Sequence, residues 1–361
     1  MVLPIILSNF AIVLQTKITK LMQKDIVILG IESSCDDTSA SILRNFTILS
    51  NVTANQSVHE QYGGVVPELA SRAHQQNIVP VVHQALKEAK IELDDVDAIA
   101  FTKGPGLMGS LVVGCSFAKA LSLATKKPLL DVNHMHAHIL AHFIDEGTPQ
   151  PEFPFICLTV SGGHTQLVKV SSATELEILG TTIDDAAGEA FDKIAKILGL
   201  PYPGGPLVDK LAKEGNPDAF QFAQPRVDGF NFSFSGLKTS VLYRLQKEEK
   251  INPDFIKENL NDLCASVQHT ILNILFKQLK RVIRETGIEH VAIAGGVSAN
   301  SGLRGRLQEF AKAEKIQVYI PKFEYCTDNA AMIAVAGRFL YDKGIFADQT
   351  VSAQARMNFN R

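Results

Sequence analysis

Paired cysteines are missing from this sequence. The five thiols, at positions 35, 115, 157, 264 and 326, are scattered without a C-x-x-C pair, which argues against a zinc ribbon or a disulfide framework and fits a reducing cytoplasm. Charge of one sign is also missing. A formal net charge of −3 and a pI near 6.4 provide no global attraction for a polyanion, so a nucleic acid would have to be held by a local basic patch or through partner proteins. The apolar stretch from Val2 to Leu14 is broken by Ser8 and Asn9 and followed by Gln15, too short and too interrupted for a membrane span. It has no basic residue ahead of it, no A-x-A-like cleavage site and no arginine, so it fits neither a secretory signal nor a transit peptide. The expectation is that residues 1–24 stand outside the fold, that Met22 is the biological start, and that no membrane is a partner.

What remains is an ordinary globular composition, 46% hydrophobic and 20% charged. A chain of 361 residues exceeds the roughly 250–300 residues at which single cores stop growing, which points to two lobes. Asp25 to Glu32 and Ser39 to Leu43 read as strands around the small polar turn Ser33 to Thr38. A helix is expected from Pro67 to about Ala89, a strand over Ala98 to Thr102, a break at Gly104-Pro105-Gly106, a helix from Leu107 to Thr125 and a strand over Pro128 to Val132.

The order then recurs. Strands over Phe155 to Val160 and Thr165 to Val170 flank Ser161-Gly162-Gly163, and a helix over about Asp185 to Leu198 places Ala187, Phe191, Ile194 and Leu198 on one face. A long helix through Phe255 to Thr286 leads to a strand at Val291 to Ala294, a helix at Gly302 to Ala313, a strand at Gln317 to Ile320 and a helix at Asn329 to Tyr341. Two hairpins, each followed by alternating helices and strands, predict a duplicated α/β domain: lobes over 25–150 and 151–345, the last helix packing back on the first lobe, and a tail over 346–361. This pattern resembles the actin, hexokinase and heat-shock chaperone ATPase superfamily, in which a nucleotide sits between two lobes. Tight turns of small residues bring backbone N–H groups close to phosphate oxygens.

His134 and His138 stand i, i+4 on one helix face, a spacing that lets two imidazoles share a metal, although His142 extends the same face and histidines packed on an ordinary helix show the same spacing. Met135 occupies the place where a zincin would carry its glutamate base, which disfavours peptide hydrolysis. Carboxylates cluster around a helix start in Asp184 to Lys193, where a helix dipole stabilises them even without a function. Tyr202-Pro203-Gly204-Gly205-Pro206 reads as a rigid loop, and Ala294 to Asn300 lies between a strand and a helix, where α/β folds place ligand loops.

Seven motifs occur in order: Gly30-Ile31-Glu32-Ser33-Ser34-Cys35-Asp36-Asp37-Thr38, the histidine run, Val160-Ser161-Gly162-Gly163-His164-Thr165, the Asp184 to Lys193 helix, Phe232-Ser233-Phe234-Ser235-Gly236-Leu237-Lys238, Gly295 to Asn300, and Cys326-Thr327-Asp328-Asn329. Together they resemble the TsaD family of tRNA N6-adenosine threonylcarbamoyltransferases, once described as O-sialoglycoprotein endopeptidases, over about Ile26 to Gly337. The resemblance implies that His134, His138 and Asp328 hold a divalent metal, iron with zinc as the alternative. It implies that Thr159, Val160, Ser161, Gly162 and Gly163, with Asp192, Gly205, Asp209 and Asn300, bind L-threonylcarbamoyladenylate, and that Asp36 is catalytic. Archaeal-type members carry a tyrosine where Thr159 stands here. The implied partners are tRNA, a TsaB-like paralogue and a TsaE-like ATPase. A kinase or ATPase on the same fold, and a nucleotide-gated scaffold, are the rival readings. The first would normally hold magnesium through carboxylates, phosphate oxygens and water rather than histidines.

Overall fold

In the computed structural model, residues 25–359 are described apart from 57, 58, 60, 61 and 63. The expectations for residues 1–24 lie outside the described residues. β1 (Val27–Glu32) is apolar without alternation, as a strand covered on both faces must be, and all 6 of its residues are buried. It pairs antiparallel with β2 (Thr38–Arg44), which pairs antiparallel with β3 (Thr47–Ala54). On its other edge it runs parallel to β4 (Ala98–Gly104), followed by parallel β5 (Leu129–Asn133). The sheet order is β3-β2-β1-β4-β5.

The second half repeats this order. β6 (Phe155–Val160), β7 (Thr165–Ser172) and β8 (Glu175–Thr181) form an antiparallel meander, and β9 (His290–Ala294) and β10 (Gln317–Tyr319) add parallel strands to the other edge of β6, giving β8-β7-β6-β9-β10. Two sheets of one topology make this a duplicated α/β fold. β3 and β8 are the strands that sequence patterning did not single out; both lie at sheet edges and are mostly half-buried or exposed.

Among the helices, α1 (Pro67–Ala89) starts with proline at its first turn, where a missing N–H costs nothing, and ends at Lys90 in the left-handed region. α2 (Met108–Thr125) packs against α1 and β4; among the described residues it is the helix long and apolar enough to cross a membrane. α3 (His134–Leu140) is capped by Asn133, whose side chain accepts from the Met135 N–H at 2.9 Å. α4 (Ala187–Ile197) buries Ala187, Phe191 and Ile194, the face expected from their spacing. α5 (Gly204–Ala212) starts inside the stretch whose composition suggested a rigid loop, and α6 (Ser235–Glu249) is a helix that sequence patterning did not single out. The long helix expected from Phe255 is split at Asn259 into α7 (Phe255–Glu258) and α8 (Leu260–Thr286). α9 (Ser301–Glu314) and α10 (Ala330–Asp342) complete the order.

α10 crosses back onto the first sheet, packing on β1, β2 and β4. Gly30 makes this approach possible, because a Cβ there would lie 2.5 Å from the Ala330 carbonyl oxygen and 2.9 Å from the Ala334 Cβ. The start of α10 is tied down by Ser39 Oγ, which accepts from the Ala330 N–H, and by Asn51 Oδ1, which accepts from that of Ala331. Buried residues of α3, α10 and both sheets form one central core, with a second core under the β6 sheet and a third between the β1 sheet and α1 and α2. The chain after α10 also returns over the first half: Lys119 Nζ donates to the Val351 carbonyl and His136 Nε2 lies 2.7 Å from that of Phe359.

Candidate active site and metal centre

The site is assembled at helix starts. His134 opens α3 directly after β5, and Asp328 lies just before Asn329, whose side chain caps α10 by accepting from the Met332 N–H at 3.0 Å. Because α10 is drawn onto the first sheet, Asp328 meets α3: its Oδ1 stands 3.1 Å from His138 Nε2 and 3.4 Å from His134 Nε2. One ligand atom from each residue lies within 4.8 Å of the others. Two imidazoles and one carboxylate at this spacing suit a divalent transition metal, and the buried His138 Nδ1 has no hydrogen-bond partner among the described residues. The donor set therefore fits the implied metal. The Asp328 carboxyl is held far below its usual range by His134 and His138 despite burial, and His134 is held well above the usual histidine range by Asp328 and Glu32.

His142 and His136 leave this cluster. His142 Nε2 donates to the Ile293 carbonyl at 2.9 Å, and burial pushes its pKa down to about 4, so it stays neutral in the fold. Its folded value lies below the unfolded one, so its contribution is complete above about pH 6.5 and is lost as pH falls toward 4. We expect the stability gap between wild type and His142→Gln to narrow by roughly 2 kcal/mol between pH 7 and pH 4.5 in urea unfolding. A gap that does not change with pH would show that His142 titrates normally.

The two hairpin turns approach the triad from opposite halves. On the first, the Cys35 thiol and the Asp37 carboxyl are both raised by burial, with Asp36 and Asp328 as charged neighbours, and Asp37 is pushed up to about 7. On the second, burial lowers the pKa of His164, helped by the nearby charges of His134 and His138. Tyr202, just before α5, is raised by burial and then by Asp192 and Asp36, so the loop of one half lies within electrostatic reach of the turn of the other. Asp36 itself is half-buried.

The expected substrate residues fall into two groups. Thr159 and Val160 end β6 and are wholly buried, so only Ser161, Gly162 and Gly163 reach the surface of the turn. Gly188 is pressed against this turn, where a Cβ would lie 2.6 Å from the Ser161 carbonyl oxygen, and Gly295 is equally close to that of Val160. These contacts draw the start of α4 and the loop after β9 onto the turn. Asp192 Oδ1 accepts from the N–H groups of Gly204 and Gly205 at 2.8 and 3.0 Å, a cap that explains how Gly-Gly-Pro opens a helix. Asp209 accepts from Ser301 N and Oγ and from Gly302 N, and Asn300 caps α9 through the Leu303 N–H at 2.8 Å. Asp209 and Asn300 thus meet at one helix start, while Asp192 and Gly205 meet at another.

Asp184 does not cap α4. Its oxygens accept from Ser233 Oγ, from Ser235 N and Oγ and from Phe234 N, bracing the start of α6. Sequence reasoning passed over Glu32, Asp37 and Thr102. The one signal for Glu32 was a carboxylate closing an otherwise apolar strand, and for Asp37 its place beside Asp36.

Two repeated α/β halves, with a His–His–Asp cluster that could hold a metal near their hairpin turns, define a duplicated two-lobed α/β protein. Solved structures of HypF share this fold: full-length HypF in its phosphate- and nucleotide-bound form superposes with a TM-score of 0.59 at 14% identity, over 89% of this chain and 47% of that one. The sequence profile of TsaD, tRNA N6-adenosine threonylcarbamoyltransferase, matches residues 47–335. The tRNA N6-adenosine threonylcarbamoyltransferase of Christiangramia forsetii is 63% identical, covering 92% of this chain and 98% of the relative. The enzyme of that name from Porphyromonas gingivalis is 60% identical over 90% and 96%. The chain belongs to the TsaD family of tRNA N6-adenosine threonylcarbamoyltransferases.

Proposed function

We propose that this chain moves the threonylcarbamoyl group of L-threonylcarbamoyladenylate to the N6 amine of the adenosine 3′ of the anticodon, in tRNAs reading codons that begin with adenine, and releases AMP. The observation that carries this reading is the convergence of His134, His138 and Asp328 between the two hairpin turns of a TsaD-family chain. In the reaction the amine nitrogen forms a bond to the carbamoyl carbon, the bond from that carbon to the phosphate oxygen breaks, and the amine gives up a proton. An aromatic amine is a weak nucleophile, so alignment of the two substrates and stabilisation of the developing charge must supply most of the rate.

His134, His138 and Asp328 would hold the metal, iron with zinc as the alternative, and its chemistry would be Lewis acidity toward a phosphate or carbonyl oxygen. The exposed Gly162-Gly163 turn lets backbone approach the adenylate closely, flanked by Asp192 and Gly205 at the start of α5 and by Asp209 and Asn300 at the start of α9. Asp36 orients the acceptor. Asp37, beside Asp36 on the same turn and pushed up to about 7 by burial and then by its acidic neighbours, is the carboxylate we assign to receive the amine proton. The discriminating assay combines the purified chain, its partners, the adenylate and unmodified tRNA, with nucleoside mass spectrometry. No modified nucleoside would favour a nucleotide-gated scaffold.

The cytoplasm is the setting we assign, where tRNA meets an environment that keeps the five free thiols reduced. For tRNA phosphates we assign a cavity of about 210 Å3 lined by Arg226, Lys277 and Arg281, a local cationic patch on a chain of net charge −3. For the TsaB-like paralogue we assign the outer face of α2, where Met108, Val112 and Leu123 are 50%, 47% and 65% exposed and Ser116 and Ala120 complete a stripe without charge. A TsaE-like ATPase would join that assembly. Val112→Glu should leave the fold and metal content intact while weakening association with the paralogue at least about tenfold, as a buried unpaired carboxylate would. Unchanged co-elution on gel filtration would move the interface elsewhere.

A further inference from the structure

We propose that Glu32 is a positioning residue that sets the tautomer of His134 and thereby makes its Nε2 a ligand. This inference rests on the metal reading above. Glu32 ends β1 with its side chain 0% exposed, where a carboxylate persists only if its oxygens are satisfied. Three donors do so. The Ser34 N–H reaches Oε1, the Thr102 hydroxyl donates to Oε2 at 2.7 Å, and His134 Nδ1 lies 3.1 Å from the same Oε2. Ser34 Oγ sits 3.2 Å from that ring nitrogen as well, and its hydroxyl can accept there.

With a carboxylate facing it, Nδ1 must carry the proton. When the ring is neutral, Nε2 is then the bare nitrogen, and Nε2 is the atom that faces Asp328. Carboxylate, imidazole and metal in this order recur at metal sites because the outer group fixes the ring's orientation and raises its basicity.

The isosteric amide is the sharp test. The backbone N–H of Ser34 can only donate, so in Glu32→Gln the amide oxygen must stay on Ser34 and the NH2 group must turn toward Thr102 and His134. Thr102 can adapt by reversing its hydroxyl, which also lies 3.4 Å from the Ile31 carbonyl. His134 can adapt only by accepting at Nδ1 and carrying its proton on Nε2, which removes the lone pair from the cluster. Shape and volume are kept while the tautomer is inverted, a change known to disable a histidine that is otherwise in place.

Zinc affinity should be measured on the full chain by competition with a chromophoric chelator, alongside nitrogen-15 spectra of the imidazoles. We expect Glu32→Gln to bind zinc about 10- to 100-fold more weakly, with the metal-free melting temperature changed little, and the zinc-loaded wild type to show His134 protonated at Nδ1. Equal zinc affinity in the two proteins would overturn the role of Glu32 and leave the metal reading standing. So would a proton on His134 Nε2 in the zinc-loaded wild type, a measurement that decides the matter even if the variant does not fold. A wild type that takes up neither zinc nor ferrous iron would overturn the metal reading and this inference with it.

Discussion

His138→Ala and Asp328→Ala should each lower metal stoichiometry and transfer activity together, by about 100-fold or more in rate, since even outer groups at metal sites cost about 10- to 100-fold. The two residues are 190 positions apart and meet only because α10 lies on the first sheet. Their effects should also fail to add: a site already opened by one substitution leaves little for the other to remove, so the double variant should resemble either single one. His136→Ala and His142→Gln are the controls. One ring faces the Phe359 carbonyl and the other the Ile293 carbonyl, so both should retain metal while losing some stability. Full metal content in both His138→Ala and Asp328→Ala, measured by elemental analysis, would remove the metal centre from this protein.

Asp36→Asn should reduce transfer by about 100- to 1000-fold, the range of a positioned acid–base or orienting group, with little change in melting temperature because the residue is a half-buried turn carboxylate. A second effect follows from its neighbour. Asp37 is raised to about 7 by burial and then by the negative charges of Asp36, Asp328 and Glu32, so removing the Asp36 charge should lower the Asp37 pKa. If Asp37 takes the proton, the rising limb of the pH–rate profile lies near neutrality in the wild type and should move to lower pH in the variant. A wild-type rate, or a residual rate with an unmoved limb, would dissociate this pair of carboxylates from proton transfer.

Much of the fold was legible because local physics marks it. The unalternating apolar runs of β1 and β6, the proline that opens α1 and the one-sided face of α4 can each be recognised from a few neighbouring residues. The elements that escaped are those whose cause is distant. α5 starts with Gly-Gly-Pro and is a poor helix by propensity, yet it forms where Asp192, on another helix, satisfies its first amide groups. Asp184 looked like a partner for its own helix dipole and instead serves α6 about 50 residues on.

The sequence alone determined the duplicated order of strands and helices, the i, i+4 histidine pair and the ordered motifs that place the chain in its family, because each is written in residues close along the chain. The family resemblance already picked out His134, His138 and Asp328; only the tertiary structure decided how these three are brought together, that Glu32 stands behind His134, and that Asp209 and Asn300 meet at one helix start. Spacing left His134, His138 and His142 equivalent until the Ile293 carbonyl claimed His142 and the packing of α10 against Gly30 carried Asp328 to the other two. Those choices depend on backbone approaches of a few ångströms between segments up to 300 residues apart, a distance over which side-chain periodicity holds no information.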